Sequence, residues 1–217
     1  MQNKCVLPFI NQDYNANAPC CILNDYDDQN LEELIDDHRN NRQSRFCRKC
    51  YKVENIGLKS NRQIYNGLFS THLNLASRSL KTAVVPVGNK CNLYCVMCYP
   101  GASTAWFKKY NSMGKAKYWG KEDVIKENID SVDLDRFEHI EFIGGETLKS
   151  AGLWKTLAKL KKSVNFSLQT NGTVELNQKQ IELLNSFENF NICFSIDGYG
   201  KIFEYIRQPA KWDQVRE

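Results

Sequence analysis

Three closely spaced cysteines are the residues of this 217-residue chain with the clearest capacity for chemistry. Cys91, Cys95 and Cys98 form a C-x3-C-x2-C segment directly after a β-branched stretch. Three thiolates at these spacings can hold three corners of a cubane iron–sulfur cluster, whereas a cluster held entirely by protein needs four. The remaining iron would be open to a substrate or cofactor, as one position is in a catalytic zinc site. The same spacing also allows a zinc knuckle with a distant fourth ligand.

A second group of cysteines lies in the first 50 residues. Cys20 and Cys21 are adjacent, and Cys21 is the alternative to Cys20 as a ligand. Four thiolates are enough to close a site for zinc or for a four-iron cluster. The predicted ligands of this second site are Cys5, Cys20, Cys47 and Cys50.

Composition limits the class of protein. Hydrophobic residues make up 42% and charged residues 25%, which is typical of a folded chain, and no apolar run is long enough for a membrane span. Nine cysteines without a secretion signal favour reduced, metal-binding thiols and a cytoplasmic location over disulfides. The net charge of +4 is spread along the chain, which argues against a nucleic-acid-binding arm. Cys193 falls in an apolar strand pattern and is expected to be buried.

The N-terminal half contains two predicted helices. Asn30 and Glu33 have the spacing of a capping box at the start of the first. His38 lies at the edge of its apolar face and is a less favoured candidate metal ligand. The second, a connecting helix, is predicted over Ser60–Leu75 from its apolar spacing.

From residue 82 onward, strands and helices alternate. This order predicts right-handed βαβ units and a parallel sheet, hence an α/β fold. The predicted parts are a cysteine-rich module over 1–58, a linker helix over 59–81 and an α/β core over 82–217. The core's predicted strands are Thr82–Val87, His139–Ile143, Val164–Leu168 and Asn191–Ile196; its predicted helices are Lys121–Phe137, Ser150–Lys162 and Gln178–Phe187, with another beginning near Trp212.

Four ordered segments of residues 82–217 resemble the radical S-adenosylmethionine (radical SAM) superfamily. They are the cysteine loop, Glu141–Glu146 (EFIGGE), Gln169–Gly172 (QTNG) and Phe194–Gly198 (FSIDG). The resemblance implies a partial (β/α) barrel with four of six strands visible. It also implies a [4Fe–4S] cluster held by the loop and SAM as cofactor.

The resemblance further implies SAM-binding roles at the ends of successive strands. The GGE backbone would accept hydrogen bonds from the SAM amino group, Ser195 would lie near the ribose, and Arg207 would pair with the carboxylate. Each strand-end residue has the alternative role of a turn residue closing its strand. The implied SAM-binding residues are Gly144, Gly145, Glu146, Thr170, Asn171, Ser195 and Arg207.

The N-terminal cysteines resemble the twitch or SPASM modules that carry an auxiliary [4Fe–4S] cluster in some radical SAM enzymes. Pro19–Cys21 and the C-x2-C pair Cys47–Cys50 carry this resemblance. It implies an auxiliary cluster, with zinc as the alternative. The aromatic stretch Tyr99–Trp119 follows the cysteine loop, where its rings would pack under the loop or stack on a flat substrate.

The sequence thus predicts a radical SAM enzyme that acts on an unidentified peptide or small molecule. The resemblance implies an electron donor of the flavodoxin or ferredoxin type. The alternative is a truncated or split, non-catalytic fragment that binds iron–sulfur or zinc. Such a fragment would need a partner chain to complete the barrel.

Overall fold

The computed structural model of this protein describes residues 3–14, 17–70, 75–115 and 132–216. The chain divides into two compact units, Met1–Val84 and Val85–Glu217. Within the described ranges, no helix is both long enough and apolar enough to cross a membrane.

The first unit is built mainly from short helices around a small apolar core. Two buried side chains of the first turn, Val6 and Phe9, meet Tyr65 and Phe69 in this core. Its strand β1 pairs in parallel with the start of β2, with Asn11 opposite Thr82. The elements of the unit are α1 (Leu7–Ile10), β1 (Asn11–Asp13), α2 (Leu31–Arg39), α3 (Arg48–Asn55) and α4 (Asn61–Leu68), and β2 (Thr82–Pro86) begins in it.

The predicted capping box at α2 is wrong, and two other described helices have one. Asn30 makes no capping hydrogen bond; its side chain and that of Glu33 both accept hydrogen bonds from Arg45. Capping boxes form instead between Ser60 and Gln63 at α4 and between Asn177 and Gln180 in the second unit. The arginine, twelve residues beyond Glu33, supplies a charged donor that outcompetes the local cap.

The second unit alternates strands and helices, as the sequence predicts. Five strands in the described residues form one parallel sheet in the order β1-β2-β3-β4-β5. Parallel strands place their carboxyl ends along one edge, where functional residues of α/β folds gather. After β2 the elements are α5 (Thr104–Ser112), β3 (His139–Ile143), α6 (Ala151–Lys159), β4 (Asn165–Thr170), α7 (Gln178–Asn185), β5 (Phe190–Phe194) and α8 (Gly200–Ile206).

Apolar side chains on β3 and β4 form the core of this unit. Phe142 and Phe166 are fully buried and meet edge to face at 6.1 Å. Leu153 and Leu157 of α6 are also fully buried. Ser150 caps α6 by accepting a hydrogen bond from the backbone N–H of Leu153. Alternate apolar residues along each strand therefore fix the register of the sheet.

Several expectations differ from the structure. Cys193 is exposed on β5, the last strand of the sheet, rather than buried. The helix that follows β5 is α8, which begins at Gly200, and Trp212–Gln214 is only a single 3-10 turn. The helix predicted over Lys121–Phe137 lies mostly outside the described residues, and its end contains another 3-10 turn, Leu134–Arg136.

Candidate functional site

The three cysteines of the C-x3-C-x2-C segment lie on one loop between β2 and α5. Cys95 is buried, whereas Cys91 and Cys98 are half-buried. All three contact the same small apolar cluster, which includes Leu93 and Phe203 of α8. The loop is therefore packed against the rest of the second unit through its cysteines.

Side chains at the start of α5 bind the backbone of this loop. Thr104 Oγ1 accepts from the N–H of Cys91 at 3.1 Å and also contacts its carbonyl at 3.1 Å. Ser103 Oγ donates to the carbonyl of Leu93 at 2.6 Å. The indole Nε1 of Trp106 donates to the carbonyl of Cys95 at 2.7 Å.

The segment after α8 supports the loop from another direction. The backbone N–H of Tyr94 donates to the carbonyl of Gln208 at 2.7 Å, and that of Val96 donates to Ile206 at 2.9 Å. These two bonds flank Arg207, whose guanidinium pairs with Asp197. The predicted SAM-carboxylate residue is thus carried by the segment that holds the cysteine loop.

Burial and a nearby positive charge act in opposite directions on the thiol pKa values of this loop. Burial raises the pKa of Cys91, Cys95 and Cys98 above the ordinary thiol value. The positive charge of Arg207 acts in the other direction and lowers the pKa of Cys95 and Cys98. A guanidinium beside buried thiols suits an anionic thiolate cluster, so these donors fit iron–sulfur coordination.

The two glycines after β3 make room for the backbone that leads into the cysteine loop. A Cβ on Gly144 would lie 2.6 Å from the carbonyl oxygen of Gly88, and one on Gly145 would lie 2.6 Å from that of Asn89. Gly145 N–H also donates to Gly88 at 2.9 Å. Glycine is therefore required here for a close backbone approach, whatever else these positions bind.

Glu146 joins the end of β3 to the end of β4. Its buried carboxylate accepts hydrogen bonds from the N–H of Leu148 at 3.1 Å, the hydroxyl of Thr170 at 2.8 Å and the N–H of Asn171 at 2.7 Å. The side chains of Glu146 and Thr170 are thus engaged with each other. For both residues, the structure supports the alternative role of a turn residue that closes its strand.

The turn after β4 is also tied to the cysteine loop. Asn92 Oδ1 accepts from the Asn171 amide at 3.2 Å, and the Asn92 amide donates to Thr173 at 2.7 Å. The half-buried Ser195 donates its backbone N–H to the carbonyl of Thr170 at 2.8 Å. The ends of β3, β4 and β5 thus meet around the loop, which brings the predicted SAM-binding residues into one region.

The four predicted N-terminal ligands line a single cavity. Three of them, Cys5, Cys47 and Cys50, are buried, and Cys20 is half-buried. Cys21 is exposed and does not line the cavity, so of the two adjacent cysteines it is Cys20 that faces the other three. Cys47 and Cys50 occupy the N-cap and the first turn of α3, where the helix dipole favours thiolates.

Side chains of α4 bracket Cys5. Asn66 accepts from the N–H of Val6 at 2.8 Å and donates to the carbonyl of Lys4 at 2.8 Å. Arg62 donates to that same carbonyl at 2.9 Å and itself lines the cysteine cavity. The predicted connecting helix is thus α4, which ends at Leu68 rather than Leu75, belongs to the first unit and positions one of its thiols.

His38 is buried beside the N-terminal cysteines. The sequence predicts it only at the edge of a helix face. Its Nδ1 lies 2.8 Å from the carbonyl of Asn3, and its Nε2 lies 3.5 Å from Sγ of Cys47. The carbonyl fixes a proton on Nδ1, which leaves Nε2 to accept from the Cys47 thiol. The placement depends on contacts with distant residues, so no local sequence signal reveals it.

Burial controls the pKa of the N-terminal thiols. It raises the pKa of Cys5 to about 12, with a smaller upward contribution from Cys50 and a downward one from Arg62. It also raises the pKa of Cys47. For Cys20, the hydrogen bond with Cys21 is the largest of the causes that raise its pKa. Metal binding at these thiols would have to displace their protons.

Over the described ranges, no three His, Cys, Asp or Glu side chains converge closely enough to hold one metal ion. Tetrahedral coordination with Zn–S of about 2.3 Å puts sulfurs only about 3.8 Å apart. A four-iron cube spaces its thiolates more widely, because each binds a different iron.

The described part of the aromatic stretch packs under the loop. Trp106 contacts Tyr94 edge to face at 5.8 Å and Tyr110 at 5.3 Å. Lys109 places its ammonium 4.4 Å from the centre of the Tyr94 ring. Two further rings of the stretch, Tyr118 and Trp119, lie outside the described residues.

Comparison with known proteins identified one family. The model described as the Radical SAM superfamily matches residues 85–217, which covers the cysteine loop and the ends of β3, β4 and β5. Neither the comparison with curated proteins nor that with solved structures gave a match.

Proposed function

This chain belongs to the radical SAM superfamily, and from that premise we propose that it reductively cleaves S-adenosylmethionine to a 5′-deoxyadenosyl radical that modifies a peptide or small-molecule substrate. Membership implies a [4Fe–4S] cluster, SAM and a reductant, for which a flavodoxin- or ferredoxin-type donor is our proposal. The superfamily match favours an enzyme over a non-catalytic fragment.

One observation carries this proposal: three separate segments converge on the cysteine loop. Residues 88–90 pack on the two glycines, Asn92 binds the turn after β4, and residues 206–208 bind the far side of the loop. A cluster held there would supply the electron that cleaves SAM. The chain's part is to hold three thiolates in place and to set SAM beside them.

The proposed cluster ligands are Cys91, Cys95 and Cys98. Arg207 would supply a planar guanidinium for the SAM carboxylate, and the backbone at Gly144 and Gly145 would take the amino group. Ser195 and Asn171 complete the proposed SAM site, on the ribose side and at the turn after β4. Glu146 and Thr170 would act through the hydrogen bonds that fix the strand ends.

For the N-terminal group we propose an auxiliary [4Fe–4S] cluster of twitch or SPASM type. Its support is the single cavity shared by Cys5, Cys20, Cys47 and Cys50. Arg62 lines the same cavity, with its buried guanidinium paired to Glu54. Zinc is the competing occupant, and acid-labile sulfide separates the two, because only the iron cluster contains it.

The test is anaerobic reconstitution of the full chain, followed by assays of iron, sulfide and zinc and of 5′-deoxyadenosine formed from SAM with dithionite. Replacing Cys91, Cys95 and Cys98 together with Ala should remove about half the iron and all SAM cleavage. Cys193→Ala, at an exposed cysteine, is the matched control and should change neither. Unchanged iron content in the triple variant would refute the assignment.

A further inference from the structure

One helical turn contacts alternate residues of the cysteine loop. Ser103, Thr104 and Trp106, at the start of α5, bind the backbone of residues 95, 93 and 91 through four side-chain contacts. The helix is itself fixed there, because Ser103 Oγ accepts from the N–H of Trp106 at 3.3 Å. Three side chains at the start of α5 thus hold the backbone of three alternate residues of the loop.

The geometry points to Trp106 as a positioning residue that fixes the turn between the second and third cysteines. The inference rests on the proposed function, in that this loop is taken to hold the SAM-binding cluster. The carbonyl of Cys95 accepts two hydrogen bonds, from the N–H of Cys98 at 2.9 Å and from the Trp106 indole at 2.7 Å. The indole therefore anchors the peptide that sets the separation of two thiols.

The surroundings of Trp106 make the anchor rigid. Its ring is half-buried and held between Tyr94 and Tyr110. A hydrogen bond from a ring with few free rotations orders its acceptor at a low cost in side-chain entropy. Hydrogen bonding around ligands is also one of the factors that set the potential of an iron–sulfur cluster. Trp106 should accordingly affect both retention of the cluster and its potential.

The chain offers a matched control. Trp154 of α6 is likewise half-buried and donates its indole N–H to the carbonyl of Leu148 at 3.0 Å. Phenylalanine at either position keeps an aromatic ring and removes the donor. Trp106→Phe and Trp154→Phe thus lose the same type of hydrogen bond, but only the first loses it at the cysteine loop.

The first experiment uses the full chain without metal and measures alkylation of each cysteine by iodoacetamide with mass spectrometry. Trp106→Phe should speed labelling of Cys95 and Cys98 about fivefold, the equivalent of about 1 kcal/mol for one lost hydrogen bond. The exposed Cys193 provides the internal reference and should react at the same rate in every variant. Unchanged rates in Trp106→Phe, or an equal rise in Trp154→Phe, would overturn the inference.

The second experiment uses the reconstituted protein. The cluster of this loop is identified as the one whose electron paramagnetic resonance signal changes on addition of SAM. Trp106→Phe should shift its midpoint potential and raise the rate of iron loss to a chelator severalfold, whereas Trp154→Phe should do neither. If the wild-type chain binds no such cluster, the proposed function fails while the labelling test still decides the role of Trp106. A wild-type potential and rate of iron loss in both variants would refute the role of Trp106 and leave the proposed function standing.

Discussion

The guanidinium of Arg207 is fixed by Asp197: its Nε donates to Oδ2 of the carboxylate at 2.5 Å. Asp197 follows β5 and Arg207 follows α8, so the pair closes the strand–helix segment on itself. The arginine side chain is only 15% exposed. Its positive charge opposes the rise that burial causes in the pKa of Cys95 and Cys98. The pair therefore fixes the guanidinium that we propose for the SAM carboxylate.

Arg207→Lys should weaken SAM binding about tenfold or more. A lysine keeps the charge but cannot bind a carboxylate through a planar fork while also pairing with Asp197. Equilibrium binding of SAM to the reconstituted protein is the measurement. Arg216→Lys, at an exposed arginine paired with Asp213, is the control and should leave affinity unchanged. Equal affinity in all three proteins would show that Arg207 does not contact SAM.

Two adjacent cysteines should differ sharply in their effect on the N-terminal site. Cys20 lines the cavity with the other three thiols, whereas Cys21 is exposed. Cys20→Ser should therefore remove the metal of that site, and Cys21→Ser should retain it. Iron, sulfide and zinc content per chain is the readout. Loss in the Cys21 variant alone would reverse the ligand assignment.

The α/β class, and the edge of the sheet at which the candidate site lies, were predictable because local sequence patterns indicate both. The core strands show in runs of apolar and β-branched residues, and Ser150 marks the start of α6 as predicted. In a parallel sheet the strand ends share one edge, so the ordered motifs indicate a common site. β1, at three residues, is too short to leave a periodic pattern.

Burial and pairing were not predictable where they depend on distant neighbours. Cys193 has a strand pattern around it, but the strand's place at the end of the sheet order decides its exposure. His38 contacts Asn3, 35 residues away, and Trp106 contacts Cys95 across 11 residues. Such contacts are set by tertiary packing, for which a single sequence contains no local signal.

Glu146→Gln should destabilise the second unit by about 1–3 kcal/mol. The carboxylate accepts three hydrogen bonds at the ends of β3 and β4, and an amide would turn a donor toward one of those donors. Glu141→Gln, on β3 itself, is the control; its carboxylate accepts from Gln169 at an exposed position, and the change should stay within about 0.5 kcal/mol. Urea unfolding followed by tryptophan fluorescence reports this unit, because all four tryptophans lie beyond residue 84. Equal midpoints would contradict the strand-closing role.

The buried pair Glu54–Arg62 should make the first unit sensitive to acid. Both side chains are almost fully buried. Burial alone would raise the pKa of Glu54, but hydrogen bonds from Arg62 and Ser60 outweigh it and hold that pKa below its usual value. The stabilisation is thus fully present above the unfolded-state pKa of about 4.3 and is lost as the pH falls through the lower folded-state value.

Glu54→Gln should therefore cost about 3–5 kcal/mol at pH 7, because it leaves the Arg62 charge buried without its counter-ion. The difference from wild type should shrink as the pH falls below about 4, where the wild-type carboxylate also becomes protonated. Unfolding in urea by far-UV circular dichroism at pH 7, 5, 4 and 3 measures it on the metal-free chain. Glu33→Gln removes an exposed pair with Arg45 that solvent screens, so its stability should follow wild type throughout. A Glu54 difference that stays constant from pH 7 to 3 would show that this carboxylate is not ionised in the folded protein.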